Sequence, residues 1–409
     1  MLFICRFHSR EVNMESEKKQ LNNYRVAAAV TVAVFCMGQI PGSIDAAISK
    51  ITDYFHLTST SGLYVTTIAC IVSVVFSTML GFFAGKKVGF KPLIIFCATV
   101  ELVSALVPFF AENFVFFIIL RGLFGIGFGG MQSLENTVAT KLVTPERRAK
   151  VLGLGTFFGF GMNCLLQFVG GVLADAGWNY VFLNHLLLII PYVIILIGLS
   201  KVSFEGQDKL ENNTRSETAA HKKLNISVFH VWLLILFVGI VIAPLLVGCS
   251  FLSAPLNSSA TVAGVVAVCF SAGCMIGGVL FPKMQKLLKS WTLTAFLIVT
   301  VVGLVGCAMT RSIVILCIMI LIGGIGFAAT QATLMMILGL STSSDRIALA
   351  SAVMMALFNL GMFLSSTYEN AIAAITGDAL YMPLYIGAGI LLVFAIIYSI
   401  FSPMRRALK

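Results

Sequence analysis

The chain has 409 residues, of which 59% are hydrophobic and only 11% carry a charge, and its mean hydropathy is +0.99. A globule of this length needs more polar surface than these residues supply, so the composition excludes a soluble fold. The formal net charge of +10 would suit nucleic acid if the basic residues formed one patch, but they are spread over loops along the chain.

Apolar runs follow one another along most of the sequence and are separated by short loops that contain Gly, Pro or basic residues. About twenty apolar residues in a helix cross roughly 30 Å of hydrocarbon, where only a fully hydrogen-bonded backbone is tolerated. Twelve transmembrane helices are predicted, at 26–48, 61–84, 92–110, 114–139, 150–174, 180–200, 227–250, 260–282, 291–309, 313–339, 346–370 and 380–402. The predicted fold class is therefore an all-α membrane protein embedded in a lipid bilayer.

Basic residues mark one side of this predicted bundle. If the amino terminus is cytoplasmic, 24 of the 27 Lys and Arg residues fall in segments on that same side. Lys50 and Arg311 lie on the opposite side, and Arg121 lies within the membrane. The positive-inside rule then predicts that both termini are cytoplasmic. We expect a multi-pass monomer in the cell membrane.

A long polar stretch after the sixth predicted helix divides the chain into two halves. The predicted domains are a cytoplasmic segment at 1–25, a six-helix bundle at 26–200, a cytoplasmic loop at 201–226, a second six-helix bundle at 227–402 and a tail at 403–409. At an offset of 199 residues, the tetrapeptide GIGF at 125–128 recurs at 324–327, and Gln132 aligns with Gln331. Parallel repeats are one architecture of secondary transporters, so an internal duplication is predicted.

Arg121 is the clearest candidate for a functional residue. A charge at the centre of a membrane helix costs about 2.5–3.5 kcal/mol even on the mildest scale, so its side chain needs an acceptor. Glu101, on the preceding helix, is predicted at about the same depth and would form an ion pair with Arg121 if the two faces meet. Two roles fit the sequence: Arg121 is structural, or it binds an anionic substrate or tunes a titrating carboxylate.

Glu135 lies fourteen residues beyond Arg121 on the same predicted helix. This spacing is about 21 Å along the helix axis, which places Glu135 near the cytoplasmic end. Its predicted neighbours are the basic residues Lys86, Lys87 and Lys91. A cluster of gating charges is therefore favoured for Glu135, and a proton-binding site is the alternative.

Asp45 and Glu369 lie near the outer ends of the first and eleventh predicted helices. Asp45 follows the helix breaker Pro41. Each carboxylate is either a coupling group for an ion or a solvated residue at a helix end.

Three segments carry a resemblance to a known family. RGLFGIGFGG (121–130) places an Arg before spaced glycines on the fourth helix, PERRAKVLGL (145–154) leads into the fifth, and GGVLADAGWNYVF (170–182) ends it. In their order and spacing, these segments resemble the major facilitator superfamily from about Arg25 onward. The resemblance implies a secondary transporter whose two six-helix halves rock against each other around a central site.

The sequence departs from the family pattern in two places. In the loop GFFAGKKVGFKP (81–92), Gly85 or Lys86 stands where the family usually has an Asp that helps to latch the cytoplasmic gate. The fifth helix lacks the Gly-Pro of the antiporter pattern, because Leu166 and Gln167 precede the stretch that ends in Gly170 and Gly171. The second departure lowers the expectation of drug/proton antiport.

By the same resemblance, the first, fourth, seventh and tenth helices line the central cavity. The candidates for substrate contact are Gln39, Gln132, Asn136, Thr330, Gln331 and Thr333, with Asn163 and Asn359 on flanking helices. Uncharged polar side chains also bond neighbouring helices, so a packing role is favoured for each of them taken alone.

The sequence contains no nucleotide-binding loop, and its histidines and ten cysteines show no metal-binding or paired spacing. We therefore predict a transporter and not an enzyme, with no cofactor or metal and no nucleic-acid partner. The energy source is predicted to be an ion gradient, with protons favoured, and the candidates for protonation are Asp45, Glu101 and Glu135.

Substrate and direction have two interpretations. Export of a drug-like or amphipathic compound is favoured because the predicted cavity contains few charges. The alternative is import of a small organic anion by proton symport, which would explain an unpaired Arg121.

Overall fold

The computed structural model describes residues 23–40, 42–83, 88–202, 204, 226–256, 258–342 and 347–400, and twelve helices run through them. They are α1 Asn23–Gly38, α2 Ser59–Phe83, α3 Phe90–Leu106, α4 Phe114–Leu142, α5 Pro145–Ala176, α6 Ile189–Lys201, α7 Ile226–Val247, α8 Ala260–Leu288, α9 Thr292–Met309, α10 Ile313–Ser341, α11 Ile347–Thr376 and α12 Met382–Ile400. We call α1 to α6 the N-half and α7 to α12 the C-half. The predicted all-α membrane fold is confirmed.

In the described part of the chain, most of these helices are long and apolar enough to cross a membrane. Nine stretches are long and apolar enough to span a membrane, and one of them, Ala260–Met309, contains both α8 and α9. Two shorter apolar helices, Asn23–Gly38 and Tyr64–Leu80, correspond to α1 and to the centre of α2.

The first helix is shorter than its apolar run. The sequence predicts one helix over 26–48, but α1 ends at Gly38 and is followed by a 3-10 turn at Asp45–Ala47 and a short helix at Ile48–Tyr54. The stretch 38–42 contains two glycines and a proline, which are the weakest helix formers. The break places the carboxylate of Asp45 beside the C-half.

Two other predicted helices are also divided. The sixth begins as a 3-10 segment, Trp178–Leu188, before α6. The seventh ends at Val247, and a short helix, Cys249–Ser253, follows it. The divided ends of α1, α6 and α7 all lie at the same end of the bundle.

The two ends of the bundle differ in charge. We call the end at which α5 finishes and α8 begins the Asp175 face, and the opposite end the Lys283 face. At the Lys283 face, the described basic residues are Lys91, Lys141, Arg147, Lys150, Lys201, Lys283, Lys286 and Lys289, together with Arg25 at the start of α1. At the Asp175 face, the described Lys and Arg residues are Lys50 and Arg311.

The repeated GIGF tetrapeptide forms equivalent helix contacts in the two halves. A Cβ atom on Gly127 of α4 would lie 2.5 Å from the Cα of Glu101 on α3. A Cβ atom on Gly326 of α10 would lie 2.5 Å from the backbone nitrogen of Thr300 on α9. Both pairs are related by the same offset of 199 residues. Glycine is required at both positions because the neighbouring backbone fills the space of a side chain.

The halves meet through two helix pairs, α5 with α8 and α2 with α11. At the first contact, a Cβ atom on Gly171 would lie 2.7 Å from the carbonyl oxygen of Ala260 and 3.1 Å from the Cα of Gly264. At the second, the hydroxyl groups of Thr67 and Ser366 are 3.1 Å apart. These contacts fix the halves together on the side of the Asp175 face.

Candidate functional site

Glu135 lies inside the N-half and bonds to Gln39, the residue that follows α1. The side-chain amide of Gln39 donates to its Oε1 at 2.9 Å and to its Oε2 at 3.0 Å, and Glu135 is only 4% exposed. α4 continues to Leu142 and so places Glu135 about two turns inside the helix, while the predicted cluster of gating charges around it stays a prediction. Lys86 and Lys87 lie outside the described residues, and the gating role of Lys91 stays a prediction.

One turn before Glu135, Gln132 connects α4 to the other half. The amide of Asn359 on α11 donates to Gln132 Oε1 at 2.8 Å, and both side chains are buried. The side chain of Asn136 lies outside the described residues. Polar groups of α4, of α11 and of the residue after α1 thus lie close together, and two of the predicted contact residues, Gln39 and Gln132, belong to this cluster.

In the C-half, the predicted contact residues lie on α10. Gln331 is half-buried, and its amide donates to the sulfur of Met355 on α11 at 3.7 Å. Thr330 is buried, and its hydroxyl has no hydrogen-bond partner among the described residues. Thr333 donates to the carbonyl oxygen of Ala329 within its own helix, which is a packing role.

Arg121 is completely buried between α4 and α2. Its Nε donates to the carbonyl oxygen of Val65 at 3.1 Å, and its guanidinium carbon lies 4.6 Å from the centre of the Phe124 ring. The two terminal nitrogens, Nη1 and Nη2, have no hydrogen-bond partner among the described residues. Arg121 is therefore anchored at one nitrogen and keeps two unpaired donors.

Glu101 does not pair with Arg121. Both of its carboxylate oxygens are buried and have no hydrogen-bond partner in the described parts of the chain. Its backbone packs against Gly127, which is six residues from Arg121 along α4 and therefore about 9 Å away along the axis. Contrary to the sequence prediction, Glu101 and Arg121 therefore do not lie at the same depth, because the close contact of Gly127 with Glu101 fixes the position of α3 along α4.

A group of residues without a predicted role holds the break after α1. The imidazole Nε2 of His185 lies 2.8 Å from the hydroxyl of Ser43, and the amide of Asn184 donates to the carbonyl oxygens of Ser43 (2.7 Å) and Leu166 (2.9 Å). All of these polar side chains are fully buried. They anchor the segment that carries Asp45, so their role is to position it.

Asp45 is fully buried, and its Oδ2 accepts a hydrogen bond from the backbone nitrogen of Cys249 at 3.1 Å. Glu369 is 5% exposed and accepts a hydrogen bond from Ser365 at 2.9 Å. The solvated-end alternative is therefore wrong for both carboxylates. Asp45 lies between the halves, and Glu369 is bonded within its own helix.

A second polar cluster joins α5 to α8. Asn163 donates to the hydroxyl of Ser271 at 3.1 Å, and this hydroxyl donates to Gln167 Oε1 at 2.9 Å. All three side chains are fully buried. The sequence indicates Asn163 only through family resemblance and does not indicate Gln167 or Ser271. The spacing of Asn163 and Gln167 by one helical turn is the signal that could have found them.

The described polar contacts between α5 and α8 lie in the part of α8 that is nearer the Asp175 face. They run from Thr261, which is bonded to Asp175, to Ser271, which is bonded to Asn163. Beyond Ser271, Gly273 and Gly277 of α8 pack against α10 of the same half.

The side chains of these clusters are hydrogen-bonding groups of both kinds. The amides on α4, α5 and α10, and that of Gln39 after α1, offer donors and acceptors. Buried carboxylates near them can change charge when their surroundings change. Within the described residues, no group of three or more His, Cys, Asp or Glu side chains is arranged to hold a metal ion.

Comparisons with known proteins agree with this architecture. A family model of the Major Facilitator Superfamily matches residues 30–254, which is more than half of the chain. The inward-facing, unoccupied structure of a bacterial homolog to the human lysosomal transporter Spinster is similar with a TM-score of 0.69. It is 13% identical, and the match covers 95% of this chain and 98% of that one.

A D-xylose-proton symporter is similar with a TM-score of 0.68. It is 12% identical, and the match covers 91% of this chain and 96% of that one. Both likenesses extend over the two halves, and at these identities they establish the fold.

Proposed function

Because this chain belongs to the major facilitator superfamily, we propose that it carries a small organic solute across the membrane by alternating access, driven by a proton gradient. It is a transporter and not an enzyme. The main observation in support of the proposed proton coupling is the contact between Glu135 and Gln39.

Glu135 combines three properties that a coupling group needs. It is a carboxylate, it is buried at the contact of α1 with α4, and Gln39 donates to both of its oxygens. Protonation converts one of these acceptors into a donor, so Gln39 can no longer bond to both oxygens. Gln132, one turn away on α4, is bonded to Asn359 in the C-half, and a change at Glu135 can therefore reach the interface between the halves.

The distribution of basic residues supports a cytoplasmic Lys283 face. The Asp175 face is then external, and both termini are cytoplasmic. Since the described polar contacts between α5 and α8 lie on the side of the Asp175 face, we expect this conformation to be closed at that face and to open inward.

Export of an amphipathic compound is the direction that the composition of the site favours. The half-buried groups at the centre are the amides of Gln39 and Gln331 and the thioether of Met355, which are neutral. Methionine adapts its shape to apolar ligands, and amides bond to their polar groups. The second candidate, import of a small organic anion, is favoured by the two unpaired donors of Arg121.

The first test is a ligand search followed by flux measurement. Purified protein is screened by thermal unfolding against amphipathic dyes, sugars, amino acids and organic acids, because a ligand stabilises the state that it binds. A stabilising compound is expected to accumulate in proteoliposomes against its own gradient when a proton gradient is imposed. A protonophore should abolish this accumulation. Flux that is unchanged by the proton gradient would contradict proton coupling.

Replacing Arg121 with methionine tests the second candidate. Arg121 has no carboxylate partner among the described residues, and apolar residues of similar volume often replace a buried charge without loss of stability. We therefore expect Arg121→Met to unfold at the same or a higher temperature. If Arg121 binds an anionic substrate, uptake of organic acids should fall by roughly tenfold or more, the effect of losing about 1.4 kcal/mol of binding.

The matched control is Arg121→Lys, which keeps the charge but loses the planar donor fork. A lower unfolding temperature in Arg121→Met, with unchanged uptake per folded molecule, would instead assign Arg121 the role of anchoring α2 to α4.

A further inference from the structure

Asp175 lies at the end of α5 in the N-half and bonds to the first residues of α8 in the C-half. Its Oδ1 accepts from the backbone nitrogen of Ala260 at 2.8 Å. Its Oδ2 accepts from the backbone nitrogen of Thr261 at 3.1 Å and from the Thr261 hydroxyl at 2.5 Å. One carboxylate therefore makes three hydrogen bonds from one half of the protein to the other.

These bonds supply hydrogen-bond acceptors for the backbone N–H groups at the start of α8, which the helix itself does not provide. The first backbone N–H groups of a helix have no partner inside it, and they carry the positive end of the helix dipole. Among the described residues of its own segment, the side chain that caps α8 is that of Ser259, whose hydroxyl accepts from the backbone nitrogen of Val262 at 3.3 Å. Asp175 supplies the acceptors for Ala260 and Thr261. The N-terminal cap of a C-half helix is thus a residue of the N-half.

Lys50 and the glycine contact between the halves hold this cap in place. Lys50 donates to Asp175 Oδ1 at 3.3 Å and to the carbonyl oxygen of Ala174 at 2.9 Å. The close approach of Gly171 to Gly264 brings the end of α5 to the start of α8. Asp45 accepts from Cys249 at the start of another C-half segment, so the same arrangement occurs twice at this face.

We propose that Asp175 is the positioning residue that keeps the Asp175 face closed. Its three bonds to α8 exist only while the halves touch, so they stabilise the conformation closed at this face and are lost when it opens. This proposal rests on the proposed alternating access and adds the residue that biases it. Without the Asp175 charge, the closed conformation loses the attraction between this carboxylate and the N-terminus of α8, and the equilibrium shifts toward the conformation open at the Asp175 face.

The test uses Cys249 as a native reporter. Its side chain is fully buried, and its backbone bonds to Asp45 at the Asp175 face. We expect this side chain to become accessible when the face opens. Protein in liposomes is treated with a membrane-impermeant maleimide, without substrate or proton gradient, and the labelling of Cys249 is followed by peptide mass spectrometry. Asp175→Asn is expected to raise the labelling rate about two- to fivefold, the range for loss of a charge at a helix terminus.

Asp378→Asn is the matched control. Asp378 Oδ1 accepts from the backbone nitrogens of Leu380 (2.8 Å) and Tyr381 (3.0 Å) at the start of α12, and it lies in the C-half with them. Burial alone would raise the pKa of Asp378, but these N–H groups outweigh burial and lower its pKa, so the control also removes a charged cap. It should leave the labelling of Cys249 unchanged.

A second variant allows the proposal to be tested even if Asp175→Asn does not fold. Thr261→Val removes one of the three bonds from the C-half side and should raise labelling in the same direction by a smaller factor. Unchanged labelling in both folded variants, or an equal rise in Asp378→Asn, would overturn the proposal. If labelling rises as expected but no compound moves across the membrane, the closing role of Asp175 stands and the proposed transport function fails.

Discussion

Replacing Glu135 with glutamine is expected to abolish proton-driven accumulation of the substrate. Glutamine keeps the size and one acceptor of Glu135 but cannot exchange a proton, so Gln39 and α4 no longer respond to pH. Accumulation against a gradient should fall by roughly tenfold or more, which is within the usual range of coupling between two sites. Exchange of substrate at equal concentrations should continue and should lose its dependence on pH. Proteoliposome flux with and without a proton gradient measures both quantities.

Glu369→Gln is the control for this experiment. Glu369 is as deeply buried as Glu135. Its hydrogen-bond partner Ser365 lies one turn away on the same helix, so we expect a change of charge at Glu369 to leave the contacts between helices unchanged. We expect it to keep accumulation close to wild type. If Glu135→Gln still accumulates substrate and Glu101→Gln does not, the coupling group is the unpaired carboxylate of α3. Equal loss in Glu135→Gln and Glu369→Gln would point to a general effect of removing buried charge.

The fold could be predicted from the sequence because hydrophobic length is a property of each segment alone. Each of the twelve predicted helices corresponds to a helix of the structure. The ends near Gly38, Leu188 and Val247 were less predictable. At these positions, the break depends on partners far away in the chain, as when Gly42 packs against the carbonyl oxygen of Leu246. Apolar runs predict a span but not where its backbone bends.

The site was predicted less well than the fold. Counting residues gives the position of a side chain along its helix, but the direction in which the side chain points around the helix depends on packing. Counting placed Glu135 near the basic loop, whereas the structure places it against Gln39. For Asp45, the sequence did not decide between a coupling group and a solvated residue, because its partner, Cys249, lies 204 residues away. Gln167 and Ser271 carry no charge, so nothing distinguished them from other polar residues that bond helices.

Introducing a methyl group at Gly127 is expected to destabilise the protein strongly. The Cβ atom of Gly127→Ala would lie 2.5 Å from both the Cα and the Cβ of Glu101, and the backbone of α3 cannot move aside as a flexible side chain would. Overpacking a core typically costs about 1–3 kcal/mol, and a clash with backbone belongs at the upper end of that range. Gly326→Ala meets the backbone nitrogen of Thr300 at 2.5 Å and should behave in the same way. The unfolding temperature of each variant in detergent measures the effect.

Gly161→Ala separates this clash from the general effect of changing a helix glycine. Nothing lies within 4 Å of a Cβ atom at Gly161, and alanine favours a helix over glycine by about 1 kcal/mol, so this variant should unfold at the same or a higher temperature. If Gly127→Ala and Gly326→Ala are as stable as Gly161→Ala, α3 and α4 do not approach as closely as the structure has them. If only one of the two loses stability, the duplicated tetrapeptide no longer marks equivalent contacts. Loss at both positions, with tolerance at Gly161, is what a repeated close helix contact requires.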